Sequence, residues 1–199
     1  MVKLAILLSE GFEEIEAVTT IDILRRASIQ IDSILVDNKQ DRQVKGSHDI
    51  TLVADKLLQD FSSAGNQLLD IYDGIIYPGG PAVKNLLKND EIVALAKQFN
   101  EKGKMVAAIC AAPQILAKAG LLKNKRITHY PGCNQYMEES GAFVELEQAA
   151  IIDGDIVTGS SAGNCVLFAL SIIEYFKGIE SKADMIKQLV ISPSTGTII

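Results

Sequence analysis

Short unbroken apolar runs alternate along this chain with longer segments in which apolar residues recur at helical spacing. Val2 to Leu8 is such a run, the mark of a strand covered on both faces. Ser9 to Phe12 breaks it, and Glu13 to Ala27 then places Ile15, Val18, Ile21, Ile23 and Leu24 on a helix. Ile29 to Val36 is rich in β-branched residues and closes at the polar run Asp37 to Arg42, which completes a βαβ unit. Val44 to Ala54 reads as a short hairpin or edge region turning at Gly46, and Leu57 to Leu69 as a short helix with a loop. A further strand, Tyr72 to Tyr77, ends in Pro78-Gly79-Gly80, and Pro81 to Lys102 is helical with a break near Asn89-Asp90.

The second half repeats the alternation. Met105 to Ile109 is a buried-strand run, and Gln114 to Ala119 is built of good helix formers that stop at Gly120. Arg126 to Thr128 is a short strand leading into His129-Tyr130-Pro131-Gly132, and Asn134 to Ser140 a helical turn. Asp153-Gly154 joins the apolar stretches Ala149 to Ile152 and Ile156 to Thr158 as a hairpin. Gly159 to Gly163 forms a loop, Asn164 to Phe176 and Ser181 to Leu189 are helices, and a polar tail runs from Ser192. This order predicts a three-layer α/β fold around a mainly parallel sheet, in one domain spanning residues 1–199. Sheets of this kind take ligands beyond the carboxyl ends of their strands, where the first loop, Gly79-Gly80 and Cys110 all fall.

Composition narrows the function. A chain of 199 residues that is 48% hydrophobic buries a substantial core, and a net charge of −6 without a basic block argues against nucleic acid. Cys110, Cys133 and Cys165 are odd in number, widely spaced and free of any CxxC pair, so neither a zinc site nor a disulfide framework is expected. The N-terminal apolar stretch runs straight into Glu10, Glu13 and Glu14, unlike a signal peptide or a membrane span. A cytoplasmic location without membrane partners is the expectation.

The chemistry concentrates in MVAAICAAP, Met105 to Pro113. Cys110 stands where a strand stops and a helix starts, with Ala108 and Ala112 as small neighbours at two positions either side. That is the pattern of a nucleophile elbow, in which a sharp turn exposes the attacking atom. Pro113 is tolerated in the first helical turn, where its missing N–H would have no partner. A helix N-terminus also favours the thiolate, so a depressed thiol pKa is expected. The plain alternative is a cysteine packed as a small hydrophobe.

The segments GFEEIEAVTTIDILRRA (Gly11 to Ala27), YPGG (Tyr77 to Gly80), AAICAAP (Ala107 to Pro113) and GSSAGNCVLFALSIIE (Gly159 to Glu174) together resemble the DJ-one/ThiJ/PfpI superfamily, in order and over nearly the whole chain. The likeness is to the DJ-one branch. It implies a flavodoxin-like (class I glutamine amidotransferase-like) fold, a homodimer, and a carboxylate that hydrogen-bonds the reactive cysteine. By position that carboxylate is Glu16, for which a raised pKa would suit proton shuttling. Glu13 and Glu14 read as solvated first-turn residues and His48 as incidental. The resemblance further implies backbone donors at Gly80 and Ala111, a close approach at Gly79, and an Arg26 near the pocket or dimer interface. Exposed helix-end cation is the other reading of Arg26.

The histidine departs from the family pattern. Relatives place His directly before the proline of a Thr-His-Pro segment, whereas here Tyr130 precedes Pro131 and takes that place at the pocket, and His129, one residue out of register, is kept as a further catalytic candidate. A triad of the glutamine amidotransferase kind needs a late His-x-Glu, and the only His after Cys110 is followed by Tyr130 and Pro131. Protease-branch members carry His directly after the cysteine, where this chain has Ala111. The resemblance therefore implies a cofactor-independent glyoxalase or deglycase acting on small reactive dicarbonyls or their adducts, without metal. The alternatives are a redox sensor or stress chaperone built on Cys110 and, third, a cysteine peptidase.

Overall fold

The computed structural model describes residues 1–61, 66–133 and 136–191. Parts of two expected elements, the mixed segment Leu57 to Leu69 and the turn Asn134 to Ser140, therefore lie outside the described residues, as does the tail from Ser192. The expected three layers are present. Strand β1 (Lys3–Leu8) leads to helix α1 (Glu14–Arg26) and strand β2 (Gln30–Leu35), then to a hairpin of β3 (Gln43–Lys45) and β4 (Thr51–Val53). After β5 (Lys56–Leu57) and α2 (Asn66–Ile71) come β6 (Gly74–Tyr77), α3 (Val83–Leu86) and α4 (Asp90–Glu101). The elbow follows as β7 (Met105–Ile109) and α5 (Pro113–Lys118), and then β8 (Arg126–Ile127), β9 (Phe143–Val144), β10 (Ala150–Asp153), β11 (Ile156–Gly159) and α6 (Cys165–Gln188).

Seven strands form one sheet in the order β10-β11-β7-β6-β1-β2-β5, all parallel except β10. The order reverses at β1, with β2 on one side and β6 on the other, so the loops after β1 and β6 leave a crevice between them. Alternation along β1 separates two cores. Leu4, Ile6 and Leu8 face α1 and α6, meeting Ala17, Leu24 and Phe168. Ala5 and Leu7 face the opposite layer with Ile92, Phe99 and Ile115 from α4 and α5.

The 153–154 hairpin is antiparallel as expected and the short strand expected at Arg126 to Thr128 is present as β8, while β5 and β9, two residues each, are too short for periodicity to reveal. The two expected C-terminal helices are both present within α6, divided by the non-helical backbone at Gly178 (φ 83°, ψ 170°). Although α6 has the length and composition of a membrane span, Phe168, Ala169, Ile172 and Ile173 are packed into the core beneath it. Residues 136–140 form turns rather than a helix.

Candidate active site

Three loops converge beyond the carboxyl ends of β1, β6 and β7. The β7 corner places Cys110 in left-handed backbone (φ 64°), a conformation that costs a non-glycine residue about 1–3 kcal/mol. Two hydrogen bonds hold it there. The Cys110 N–H donates to the Gly159 carbonyl at the end of β11 (2.9 Å), and its carbonyl accepts the Tyr130 N–H (2.9 Å). Ala108 and Ala112 are fully buried, as the elbow requires.

Glu16 arrives from the first turn of α1, fully buried. The turn is fixed by Glu13, whose carboxylate caps the helix by accepting the Glu16 N–H (2.7 Å). Glu16 Oε2 accepts the Gly79 N–H (2.7 Å), and the Cys110 thiol interacts with the same carboxyl. Its Oε1 has no partner of full hydrogen-bond geometry among the described residues. A Cβ at Gly79 would lie 2.8 Å from both Cys110 Cβ and Glu16 Oε2, so only glycine lets the three meet. Gly80 (φ 90°) packs equally close to the β1 loop, where a Cβ would stand 2.6 Å from Glu13 N and Gly11 O.

Burial raises the Glu16 carboxyl from 4.5 to about 7, against the opposing Gly79 N–H and Cys110 thiol. The expected depression of the Cys110 thiol does not occur. Burial and the negative charge of Glu16 push the thiol up, and the Ala111 N–H only partly opposes them. The helix that was expected to depress it, α5, is six residues long and begins three positions later. Above about pH 7 the Cys110–Glu16 pair therefore holds one proton, carried on the thiol, and below it each group holds its own.

The other candidates separate. Gly80 and Ala111 line a cleft of about 220 Å³ with Val83, Lys84, Gln114 and Cys133. The Gly80 N–H has no backbone or side-chain acceptor among the described residues. His129 is buried, and its Nδ1 lies 2.9 Å from the Tyr130 carbonyl, which gives the imidazole a backbone partner in its own loop. Tyr130 is about half exposed, its ring is not among the cleft's lining residues, and its tie to the corner is the backbone hydrogen bond to Cys110. Arg26 does not reach this site. It closes the far end of α1, ten residues or about 15 Å of helix beyond Glu16, and pairs with Asp22 (2.7 Å) in solvent.

Glu13, Glu14 and His48 also correct the sequence reading. Glu13 and Glu14 are both buried, Glu13 as the helix cap and Glu14 under the β3–β4 hairpin. Glu14 accepts the His48 N–H (2.6 Å), the Ser47 hydroxyl (3.2 Å) and the Ile50 N–H (3.5 Å), and lies 2.9 Å from His48 Nδ1. These donors outweigh burial and hold it at about 2. The hairpin's donors are supplied from more than thirty positions away in sequence, so the first-turn pattern carried no trace of them.

Known proteins place the chain in context. The model of the DJ-1/PfpI family matches residues 2–175. The glutathione-independent glyoxalase DJ-1 of Schizosaccharomyces pombe is 33% identical over 176 residues, which is 87% of this chain and 91% of that protein. The solved structure of S. pombe DJ-1 superposes with a TM-score of 0.86 at 30% identity, covering 96% of this chain and 100% of that one. A Pyrococcus abyssi protein named a deglycase is 28% identical over 88% of this chain and 99% of its own. With the family model matching nearly the whole chain and relatives this similar over most of both lengths, the chain belongs to the DJ-1/PfpI family.

Proposed function

We propose that this protein is a glutathione-independent glyoxalase that converts small 2-oxoaldehydes such as methylglyoxal to 2-hydroxy acids, with Cys110 as nucleophile and Glu16 as proton carrier. The observation that carries the reading is the contact made through Gly79, where a fully buried carboxyl with a pKa of about 7 meets a thiol on a strained corner. A group that titrates near neutrality can both take and return a proton. The names of the S. pombe and P. abyssi relatives point the same way.

Glu16 accepts the thiol proton as the Cys110 sulfur attacks the aldehyde carbon, forming a hemithioacetal. The Gly80 and Ala111 N–H groups receive the developing oxyanion. Glu16 then carries the proton from C1 to C2, which turns the hemithioacetal into a thioester of the hydroxy acid. Water attacks that carbonyl, the C–S bond breaks, and the thiol recovers its proton. The sum is dicarbonyl plus water giving hydroxy acid, with no external redox partner. Attack on early glycation adducts by the same thiol would be the deglycase form of this chemistry. Peptide hydrolysis fits less well, because Ala111 follows the cysteine and His129 is engaged with its own loop.

Lactate formation from methylglyoxal tests the proposal. Wild type produces it, and Cys110→Ser loses about 10³-fold or more in kcat/KM; equal rates in the two would end the reading. We also propose a cytoplasmic homodimer formed through the face where Ile15, Val18, Ile50 and Val53 are exposed on α1 and the hairpin. Sedimentation as a monomer at micromolar concentration would overturn that arrangement.

A further inference from the structure

The cleft beside Cys110 holds a second sulfur that the glyoxalase chemistry does not use. Cys133 is half buried and shares the cleft with Gly80, Ala111, Lys84 and Gln114. Its backbone is linked to the elbow by two consecutive hydrogen bonds. The Cys110 carbonyl accepts the Tyr130 N–H (2.9 Å), and the Tyr130 carbonyl accepts the Cys133 N–H (3.1 Å). This brings Cys133 back to the mouth of the corner. Gly132, with φ 92°, is the residue at which the chain turns before it.

We propose that Cys133 is the resolving thiol of Cys110: after a hydroperoxide oxidises Cys110 to its sulfenic acid, Cys133 attacks that sulfur and closes an intramolecular disulfide. In the first step the Cys110 sulfur attacks the terminal peroxide oxygen. The O–O bond breaks, the sulfur is oxidised by two electrons, and the thiol proton leaves with the alcohol or water. In the second step the Cys133 sulfur attacks the sulfenic sulfur, the S–O bond breaks, and the departing hydroxide takes up the Cys133 proton as water. Two thiols and one peroxide thus give one disulfide.

The surroundings of the two sulfurs support this assignment. Each lies close enough to the other for a charge on Cys133 to raise the Cys110 thiol. The Lys84 ammonium lines the same cleft and favours the Cys133 thiolate against burial. Cys165, by contrast, is buried at the start of α6, where its thiol hydrogen-bonds Thr19. A resolved disulfide would keep Cys110 off the irreversible part of the oxidation ladder and leave it recoverable by reductant.

The test is independent of dicarbonyl turnover. The reduced full-length chain is treated with hydrogen peroxide in slight excess, then weighed intact and mapped by peptide mass without reduction. The expected product has lost the mass of two hydrogens, joins the Cys110 and Cys133 peptides within one chain, and returns to the starting mass with dithiothreitol. In Cys133→Ser, Cys110 should instead gain the mass of two oxygens, which dithiothreitol does not remove. Wild type that goes directly to the two-oxygen adduct, or that links two chains or Cys165, overturns the proposal. Should Cys133→Ser not fold, the wild-type map decides alone.

Discussion

Glu14 and Glu16 stand two positions apart in the first turn of α1, both closed off from solvent, yet one titrates at about 2 and the other at about 7. Burial acts in the same direction on both. What differs is the number of donors facing each carboxylate. The β3–β4 hairpin lays backbone and side-chain donors from Ser47, His48 and Ile50 over Glu14. Glu16 has one backbone donor, Gly79, and the weaker donor of the Cys110 thiol. Glu14 lies shallow beneath the hairpin and Glu16 deep at the strand ends, so one turn of helix anchors a structural charge and a titrating one side by side.

The comparison is broken most severely at Glu16. Glu16→Gln keeps the shape and an oxygen for the Gly79 N–H but removes the proton carrier, and should lower kcat/KM for methylglyoxal by about 10²–10⁴-fold. In wild type kcat/KM should rise with pH through about 7, as Glu16 loses its proton and can accept the one from Cys110. The variant should lack that inflection, and a wild-type profile flat across this range would contradict the assignment.

The same substitution should raise stability. A carboxyl shifted from 4.5 to about 7 is bound more tightly to its proton in the folded state, so its stabilising contribution is complete below 4.5 and is lost as pH rises through 7. At about pH 8 the ionised group costs up to roughly 3 kcal/mol, which Gln avoids. Urea unfolding of Glu16→Gln should therefore show a higher midpoint at about pH 8 that converges with wild type at about pH 4. A less stable variant at the higher pH would show that burial is not the dominant cause of the shift.

Glu14 should respond with the opposite sign. Glu14→Ala leaves the hairpin donors without their acceptor, and a loss of about 2 kcal/mol in urea unfolding is expected. Because the folded value is depressed, the stabilisation is complete above 4.5 and disappears as pH falls towards about 2. Unchanged unfolding would mean that the hairpin does not depend on this carboxylate. The smallest effect belongs to exposed His48, whose pKa is raised by Glu14. Its contribution is present below 6.5 and fades as pH rises through the raised value, so His48→Ala should lower the midpoint slightly at about pH 5 and not at about pH 9. An equal drop at both would mean that the ion pair plays no part.

The contrast between the two glutamates also marks how far sequence reasoning reaches. Strands buried on both faces carry their own signal, so β1, β6 and β7 and the corner at Cys110 were legible as apolar runs broken by Ser9, by Pro78-Gly79 and by a thiol. Glu16 was found through its place in a motif, because Ile15, Ala17 and Val18 say nothing by themselves about a cysteine 94 positions away. Glu14 was misread because its partners come from a hairpin whose packing is tertiary. The thiol's pKa was misread for a similar reason: helix position was visible, while the enclosing residues and the nearby carboxylate were not. Cys133 carried no signal beyond its residue type, since its value depends on a loop tied back through Tyr130.

The left-handed backbone at Cys110 bears on how this position can evolve. Selection for stability alone would drive the corner towards glycine or asparagine, the residues that accept such a conformation with least strain. A β-branched residue would be disfavoured there, which narrows the routes by which neutral drift can pass through this site. A sulfur at the corner is therefore maintained against a steady thermodynamic bias, and a lineage released from the need for its chemistry should lose the thiol there before it loses the fold.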